Sequence, residues 1–164
     1  MLLTISEIQY EAVKFRKLID TCDKEKTSLV ISDFPVMSCK LSSMLLSYHF
    51  LQLSPELVIK GISATTGKYD HISHFWLEID DIVIDITGDQ YNIIDDKELN
   101  KNIINSRPFP AVHVAHKKES YLHKIFKIKE EEYLVSGFPT IKGSFIEKME
   151  LGYNQLLNYP DNTV

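Results

Sequence analysis

Cysteine, histidine and aspartate supply the nucleophile, base and orienting acid of many acyl-transfer sites. Between Phe34 and Tyr91 this chain offers Cys39, His74 and Asp85 at a spacing that folding can bring together. Parity along a hairpin makes the case for the last two. If Asp80-Asp81 form the turn, Ile79 faces Ile82 and Trp76 faces Asp85, with side chains alternating between two faces. One face then carries Phe75, Leu77, Ile79, Ile82, Ile84 and Ile86. All are apolar, so this face belongs on the core. The other carries His74, Trp76, Glu78, Val83, Asp85 and Thr87, a mixture suited to a cleft. His74 and Asp85 are diagonal neighbours there, roughly 7–8 Å apart at Cα, within reach of an imidazole–carboxylate hydrogen bond. A one-residue slip would turn the polar set into the core, which opposes any other register.

Cys39 supplies the nucleophile in this reading. It falls where a helix begins, and the unsatisfied N–H groups and dipole of a helix N-terminus favour an anion there. The same N–H groups, that of Cys39 among them, can hold the oxyanion of a tetrahedral intermediate.

These residues need elements to carry them. Thr4 and Glu7 form a capping-box pattern that opens a first amphipathic helix, with Ile8, Val13, Leu18 and Ile19 on its apolar side and its end near Cys22. Asp23 to Thr27 reads as a loop, Ser28 to Ser32 as a short apolar run, and Asp33-Phe34-Pro35 as an interruption. A second helix runs from about Ser38 to Leu53, where Ser54-Pro55 stops it; apolar residues on most of its circumference predict a central, buried helix. Strand-like runs follow at Leu57 to Ile62, Ser73 to Ile79 and Ile82 to Thr87, with a polar loop around Thr65 to Asp70, and these predict an antiparallel sheet. Further on come a weak helix near Asp96 to Asn105, a proline-rich loop at Arg107 to Pro110, a strand at Ala111 to Ala115, and a closing helix near Lys142 to Leu157. In the charged segment Lys117 to Glu132, Tyr121, Ile125, Phe126 and Ile128 suggest a helix. The expectation is a single α+β domain over residues 1–164, with the Cys39 helix packed on an antiparallel sheet that presents His74 and Asp85.

The order of Phe34-Pro35-Val36-Met37-Ser38-Cys39, then His74-Phe75-Trp76-Leu77-Glu78, then Ile84-Asp85-Ile86-Thr87 resembles the papain-like and transglutaminase-like cysteine-enzyme superfamily. The resemblance covers about a third of the chain, and its weight lies in the order and spacing of three loose motifs. It implies a thioester mechanism on a Cys39-His74-Asp85 set, without a cofactor, in a small bacterial-type domain. It further implies an amide hydrolase, a peptidase or glutamine deamidase acting on a protein or peptide, with an effector or toxin as one setting for such an enzyme. The alternatives are a transglutaminase or acyltransferase of the same fold and a non-catalytic, protein-binding member. Ser38, Trp76 and Gln90 are placed as lining residues. Two departures stand out: Lys40 follows the cysteine where the family often has a small residue, and no glutamine closely precedes Cys39.

Blander readings compete at each position. Cysteine is among the most buried residue types, so Cys39 alone reads as packing, as does Cys22. Trp76 either flanks the cleft or packs on the central helix. His71 rivals His74 from a polar loop. Asp80, Asp81 and Asp89 look turn-like and solvated, and Glu78 looks like a surface or supporting residue. His113, His116 and His123 lack the cysteine pair and regular spacing of a zinc site.

Composition narrows the setting. The 164 residues are 44% hydrophobic and 25% charged, enough for one core. A net charge of −5 with 18 scattered basic residues argues against nucleic acid as a partner. No apolar run is long enough to span a membrane, and the N-terminal segment lacks the pattern of a signal peptide. The expected location is cytoplasmic unless a dedicated secretion system exports the chain.

Overall fold

The computed structural model describes residues 3–158 and has an α+β architecture. Helix α1 (Ile5–Thr21) opens on the expected capping box: the Thr4 hydroxyl accepts from the Glu7 amide and the Glu7 carboxylate from the Thr4 amide. Its buried side is Ile8, Ala12, Phe15, Arg16 and Ile19. Val13, expected on that side, is exposed, because the stripe follows the helical period from Ile8 through Ala12 and Phe15. Helix α2 (Cys39–Leu53) follows a loop in which Met37 adopts a left-handed conformation, φ 60°, just before the chain enters the helix. Ser42, Ser43 and Ser47 are buried in it.

The remaining elements are β1 (Ile59–Thr66), β2 (Ile72–Ile79), β3 (Ile82–Asp85), α3 (Lys101–Asn105), β4 (His113–His116), α4 (Leu122–Ile125), β5 (Lys127–Leu134) and α5 (Gly143–Asn158). The five strands form one antiparallel sheet in the order β4-β3-β2-β1-β5. Strand β1 runs further than expected, through Thr65 and Thr66, because the β1–β2 pairing continues to Thr66↔Ile72 and confines the turn to the residues between. Gly67 opens that turn at φ 85°, a value glycine tolerates. Strand β3 stops at Asp85, short of Thr87, and β4 is displaced toward His116. The weak helix expected over Asp96 to Asn105 divides into a 3₁₀ turn and the five-residue α3.

The largest correction concerns Lys117 to Glu132, where the sequence predicts a helix. Beyond a 3₁₀ turn at Lys117–Glu119 only the four-residue α4 is helical, and the chain then extends as β5 against β1. In β5, Ile128 and Leu134 turn inward while Lys127, Lys129, Glu130, Glu131 and Tyr133 are exposed. A charged edge strand of this kind discourages pairing with other chains, and its weak apolar signal explains the difference.

The sheet separates two cores. On one face Phe75, Leu77, Ile79, Ile84 and Ile86 pack with Phe15 of α1, Leu45 of α2 and Met149 of α5. On the other, Ile62, Trp76 and Val83 pack with Tyr91, Ile103, Phe109, Leu122 and Phe126, supplied by short segments between β3 and β5. Two devices fasten that second layer. Arg107 donates to the carbonyls of Tyr91 at 2.6 Å and Ile94 at 3.1 Å. Asn92 and Phe109 exchange two hydrogen bonds of 2.8 Å. Among the described residues, no helix is long and apolar enough to cross a membrane.

Candidate active site

The β2–β3 hairpin has the register that parity required: Ile79↔Ile82, Glu78↔Val83 and Leu77↔Ile84. The ladder to β3 ends at Leu77, while β2 stays paired with β1 as far back as Ile72. The strands part in this region, and His74 and Asp85 face each other across it. His74 Nε2 donates to Asp85 Oδ2 at 2.8 Å, and both side chains are wholly buried. Asp85 Oδ1 accepts from the Thr87 amide at 3.0 Å and the Thr87 hydroxyl at 3.4 Å. Both carboxylate oxygens are thus engaged. Aspartate bonding the backbone two residues on is a common local turn, so Asp85-Ile86-Thr87 carried a readable signal for the part Thr87 plays.

Three aromatic rings enclose the imidazole: Tyr91 edge-on at 5.3 Å, Phe126 at 5.5 Å and Trp76 at 5.9 Å between centroids. Tyr91 is itself anchored, its hydroxyl donating to the Ser73 carbonyl at 3.1 Å. With Nε2 committed to Asp85, the other ring nitrogen, Nδ1, is buried and makes no hydrogen bond. Buried polar atoms without partners are uncommon, and each asks for an explanation.

Cys39 provides one. It is the first residue of α2, half-buried, and its sulfur is near enough to the His74 ring to favour the charged imidazole. Burial by itself pushes the imidazole toward neutrality. The Asp85 carboxylate, by charge and hydrogen bond, and then Cys39 outweigh burial and raise the His74 pKa to about 10. Burial likewise pushes the Asp85 carboxyl up, but His74 and the Thr87 amide overcome this and hold it below the ordinary value. The pair therefore rests as imidazolium and carboxylate near neutrality.

The first turn of α2 completes the arrangement. Ser38, its N-cap residue, is buried, yet its hydroxyl donates back to the Val36 carbonyl at 3.2 Å and makes no capping bond to the helix. The leading N–H groups of an α-helix lack intrahelical acceptors, so those around Cys39 can serve an oxyanion. Gln90 is buried too, but its Nε2 donates to the Thr87 carbonyl at 3.1 Å. That bond secures the loop after Asp85 and occupies one amide proton.

Several other expectations change. Trp76 is fully buried in the second layer rather than against the central helix, and its indole N–H donates to Glu78 Oε2 at 3.0 Å. Glu78 is no surface residue: it is 1% exposed and also meets His123 Nε2 at 2.6 Å and Lys117 Nζ at 3.7 Å. The short segments that cover this face bury it, and hydrophobic patterning within the hairpin could not foresee them. Asp89 forms a two-pronged ion pair with Arg16, a residue about seventy positions away with no local signal. His71 is exposed, and its ring meets the Lys68 carbonyl at 2.9 Å. His113 meets the Ser120 hydroxyl at 2.8 Å, and no group of three or more His, Cys, Asp or Glu among the described residues could hold a metal ion.

No protein-family model matches the chain, and no curated protein and no solved structure matches it either.

Proposed function

We propose that this protein is a cysteine-dependent acyl-transfer enzyme of papain-like or transglutaminase-like architecture. Within that class, the reading best supported is an amide hydrolase, a peptidase or glutamine deamidase acting on a protein or peptide. The observation that carries it is the division of labour on the His74 ring: Nε2 is held by a buried carboxylate at 2.8 Å, and the buried Nδ1 is left without a partner beside Cys39.

From this geometry the steps follow. The His74 imidazolium, held by Asp85, stabilises the Cys39 thiolate once the thiol proton has gone to solvent. The thiolate attacks the carboxamide carbon while N–H groups at the start of α2 hold the developing oxyanion. As the C–N bond breaks, Nδ1–H passes its proton to the leaving amine. Water then attacks the thioester with the now neutral His74 as base, releasing the acid and restoring the imidazolium and the thiolate. A transferase would differ only in the last step, with an amine in place of water.

One observation favours a non-catalytic, partner-binding reading: the His74 side chain is wholly buried, whereas a general acid must reach its leaving group. Iodoacetamide labelling followed by mass spectrometry separates the two. An ordinary thiol is about 1% thiolate at pH 6.5. The enzyme reading requires Cys39 to label much faster than that, and His74→Ala and Asp85→Asn to slow it. Ordinary labelling, unchanged in both variants, would sink it.

A further inference from the structure

Arg16 is the most heavily bonded side chain outside the triad, and its partners lie in the segments that hold the triad. Buried on α1, its guanidinium donates to the Ile86 carbonyl at 2.8 Å, to the Ala111 carbonyl at 3.1 Å, and to both oxygens of Asp89 at 2.9 and 2.8 Å. Its Nε is shared between the two oxygens of Asp20, at 3.0 and 3.1 Å, one turn along the same helix. The guanidinium carbon stands 4.7 Å from the centre of the Phe34 ring.

Each contact has an address. Ile86 directly follows Asp85, and Asp89 lies in the 3₁₀ turn that begins after Thr87, which itself bonds Asp85. Ala111 leads into β4, where His113 pairs with Asp85. Phe34 lies in the loop that delivers Cys39 to α2. The acid and the nucleophile sit on different elements of one core, and one planar, rigid fork spans the segments flanking both.

We propose that Arg16 is a positioning residue that holds the Asp85 turn and the Cys39 approach in one frame, and so sets the Cys39–His74–Asp85 geometry. This rests on the reading of that triad as the active site. A guanidinium suits the task because its donors are fixed in a plane, whereas the three donors of a lysine radiate from one nitrogen and cannot take both carboxylate oxygens side by side while also meeting two carbonyls. Acting through the backbone, Arg16 touches neither substrate nor reacting atoms. Displacements well under the length of a bond are enough to matter, since misplacement by about 1 Å can cost on the order of 10²-fold in rate.

The test compares Cys39 alkylation by iodoacetamide from pH 5.5 to 9.5, read by mass spectrometry, in wild type, Arg16→Lys, Asp89→Asn and Ile8→Ala. Thermal unfolding of each protein ensures that labelling is measured on folded chains. Asp89→Asn removes the carboxylate charge while leaving the guanidinium in place, and so remains informative if Arg16→Lys does not fold. Ile8→Ala lowers stability from the same helix without touching the fork. Arg16→Lys should slow labelling at pH 6.5 on the order of tenfold and move the pH midpoint toward that of an ordinary thiol. Asp89→Asn should do the same to a smaller degree, and Ile8→Ala should lower the unfolding midpoint with the pH profile unmoved. Wild-type profiles in folded Arg16→Lys and Asp89→Asn would overturn the proposal and reduce Arg16 to a stabilising residue, as would an Ile8→Ala profile displaced equally. An unreactive Cys39 in wild type is a different failure, because it removes the triad itself.

Discussion

Two histidines are buried in this protein, and each presents Nε2 to a carboxylate at 2.8 Å: His74 to Asp85 and His49 to Glu11. Their protonation shifts in opposite directions. Burial is the largest influence on both and disfavours the charged ring. At His49 it prevails, with Lys14 adding to it, and the pKa is lowered. At His74 it loses to Asp85 and Cys39, and the pKa is raised to about 10. The Glu11 side chain is 17% exposed and partly screened by water, while that of Asp85 is 0% exposed, so its charge acts at full strength. The other ring nitrogen tells them apart as well. His49 Nδ1 meets the Tyr153 hydroxyl at 2.9 Å, which satisfies a neutral ring, whereas His74 Nδ1 has only the neighbourhood of a thiol. A histidine with both nitrogens bonded is finished as structure. One with an open nitrogen beside a sulfur is equipped for proton transfer.

The comparison breaks most sharply through alkylation. Removing the ring in His74→Ala should bring Cys39 labelling at pH 6.5 down to that of an ordinary thiol, a loss of up to about 10²-fold given an ordinary thiol pKa near 8.5. His49→Ala should cost about 1–3 kcal/mol in urea unfolding, for the partners it strands, and leave labelling of the folded protein unchanged. Equal loss in both variants would mean that His74 acts on Cys39 only through the fold.

The carboxylates come next. Asp85→Asn keeps an acceptor for Nε2–H but removes the charge, and a close opposite charge moves a pKa by about 1–3 units. Labelling at pH 6.5 should therefore fall at least about tenfold, with Glu11→Gln as the silent counterpart. An Asp85→Asn variant that labels like wild type would show that position, not charge, is what Asp85 provides.

Stability against pH sharpens the contrast with less effect. A histidine whose folded pKa is raised stabilises fully below its unfolded value, near 6.5, and that contribution is lost as pH climbs toward the folded value, about 10 for His74. A histidine whose folded pKa is lowered works the other way: the contribution of His49 is whole above 6.5 and is lost as pH falls below it. Asp85, with its lowered value, loses its contribution only as pH drops below the unfolded carboxyl value near 3.9. Urea midpoints at pH 5, 7 and 9 should thus decline on both sides of neutrality. His49→Gln should flatten the acid side between pH 7 and 5, and Asp85→Asn the alkaline side.

Much of this contrast was legible in the sequence, and the reason is geometric. Alternation within Ser73 to Thr87 has a period of two, so a single turn at Asp80-Asp81 fixed both faces and placed His74 diagonal to Asp85. The helix start at Cys39 was legible because helix starts are marked locally by what precedes them. The second layer was not. Tyr91, Phe109, Leu122 and Phe126 come from turns and very short helices, where no period repeats often enough to declare an inward side. Without that layer Glu78 reads as exposed, and without a tertiary partner Asp89 reads as a solvated turn residue. Arg16 and His49 were invisible for the same reason: each is an ordinary residue of an amphipathic or apolar helix until elements remote in sequence converge on it.

Gly88 makes the finest probe of how closely the Asp85 side must be held. A β-carbon built there would lie 2.9 Å from the Tyr121 hydroxyl and 3.0 Å from Asp85 Oδ2, the oxygen that accepts from His74. The backbone at Gly88 lies outside the left-handed region, so the strain of an alanine falls on those two neighbours and not on the main chain. The Tyr121 hydroxyl is buried with no hydrogen bond to give up, but its ring lies 4.3 Å from that of His113 and 5.1 Å from that of Phe109, which resists its retreat. Part of the displacement therefore reaches the carboxylate. Gly88→Ala should slow Cys39 labelling at pH 6.5 by a few-fold, on the order of 0.5–1 kcal/mol. Restoring room with Gly88→Ala/Tyr121→Phe should recover most of that loss. Labelling of Gly88→Ala at the wild-type rate would mean that the Asp85–His74 bond tolerates a shift of its carboxylate, and that the turn after β3 is held less tightly than the buried carboxylate suggests.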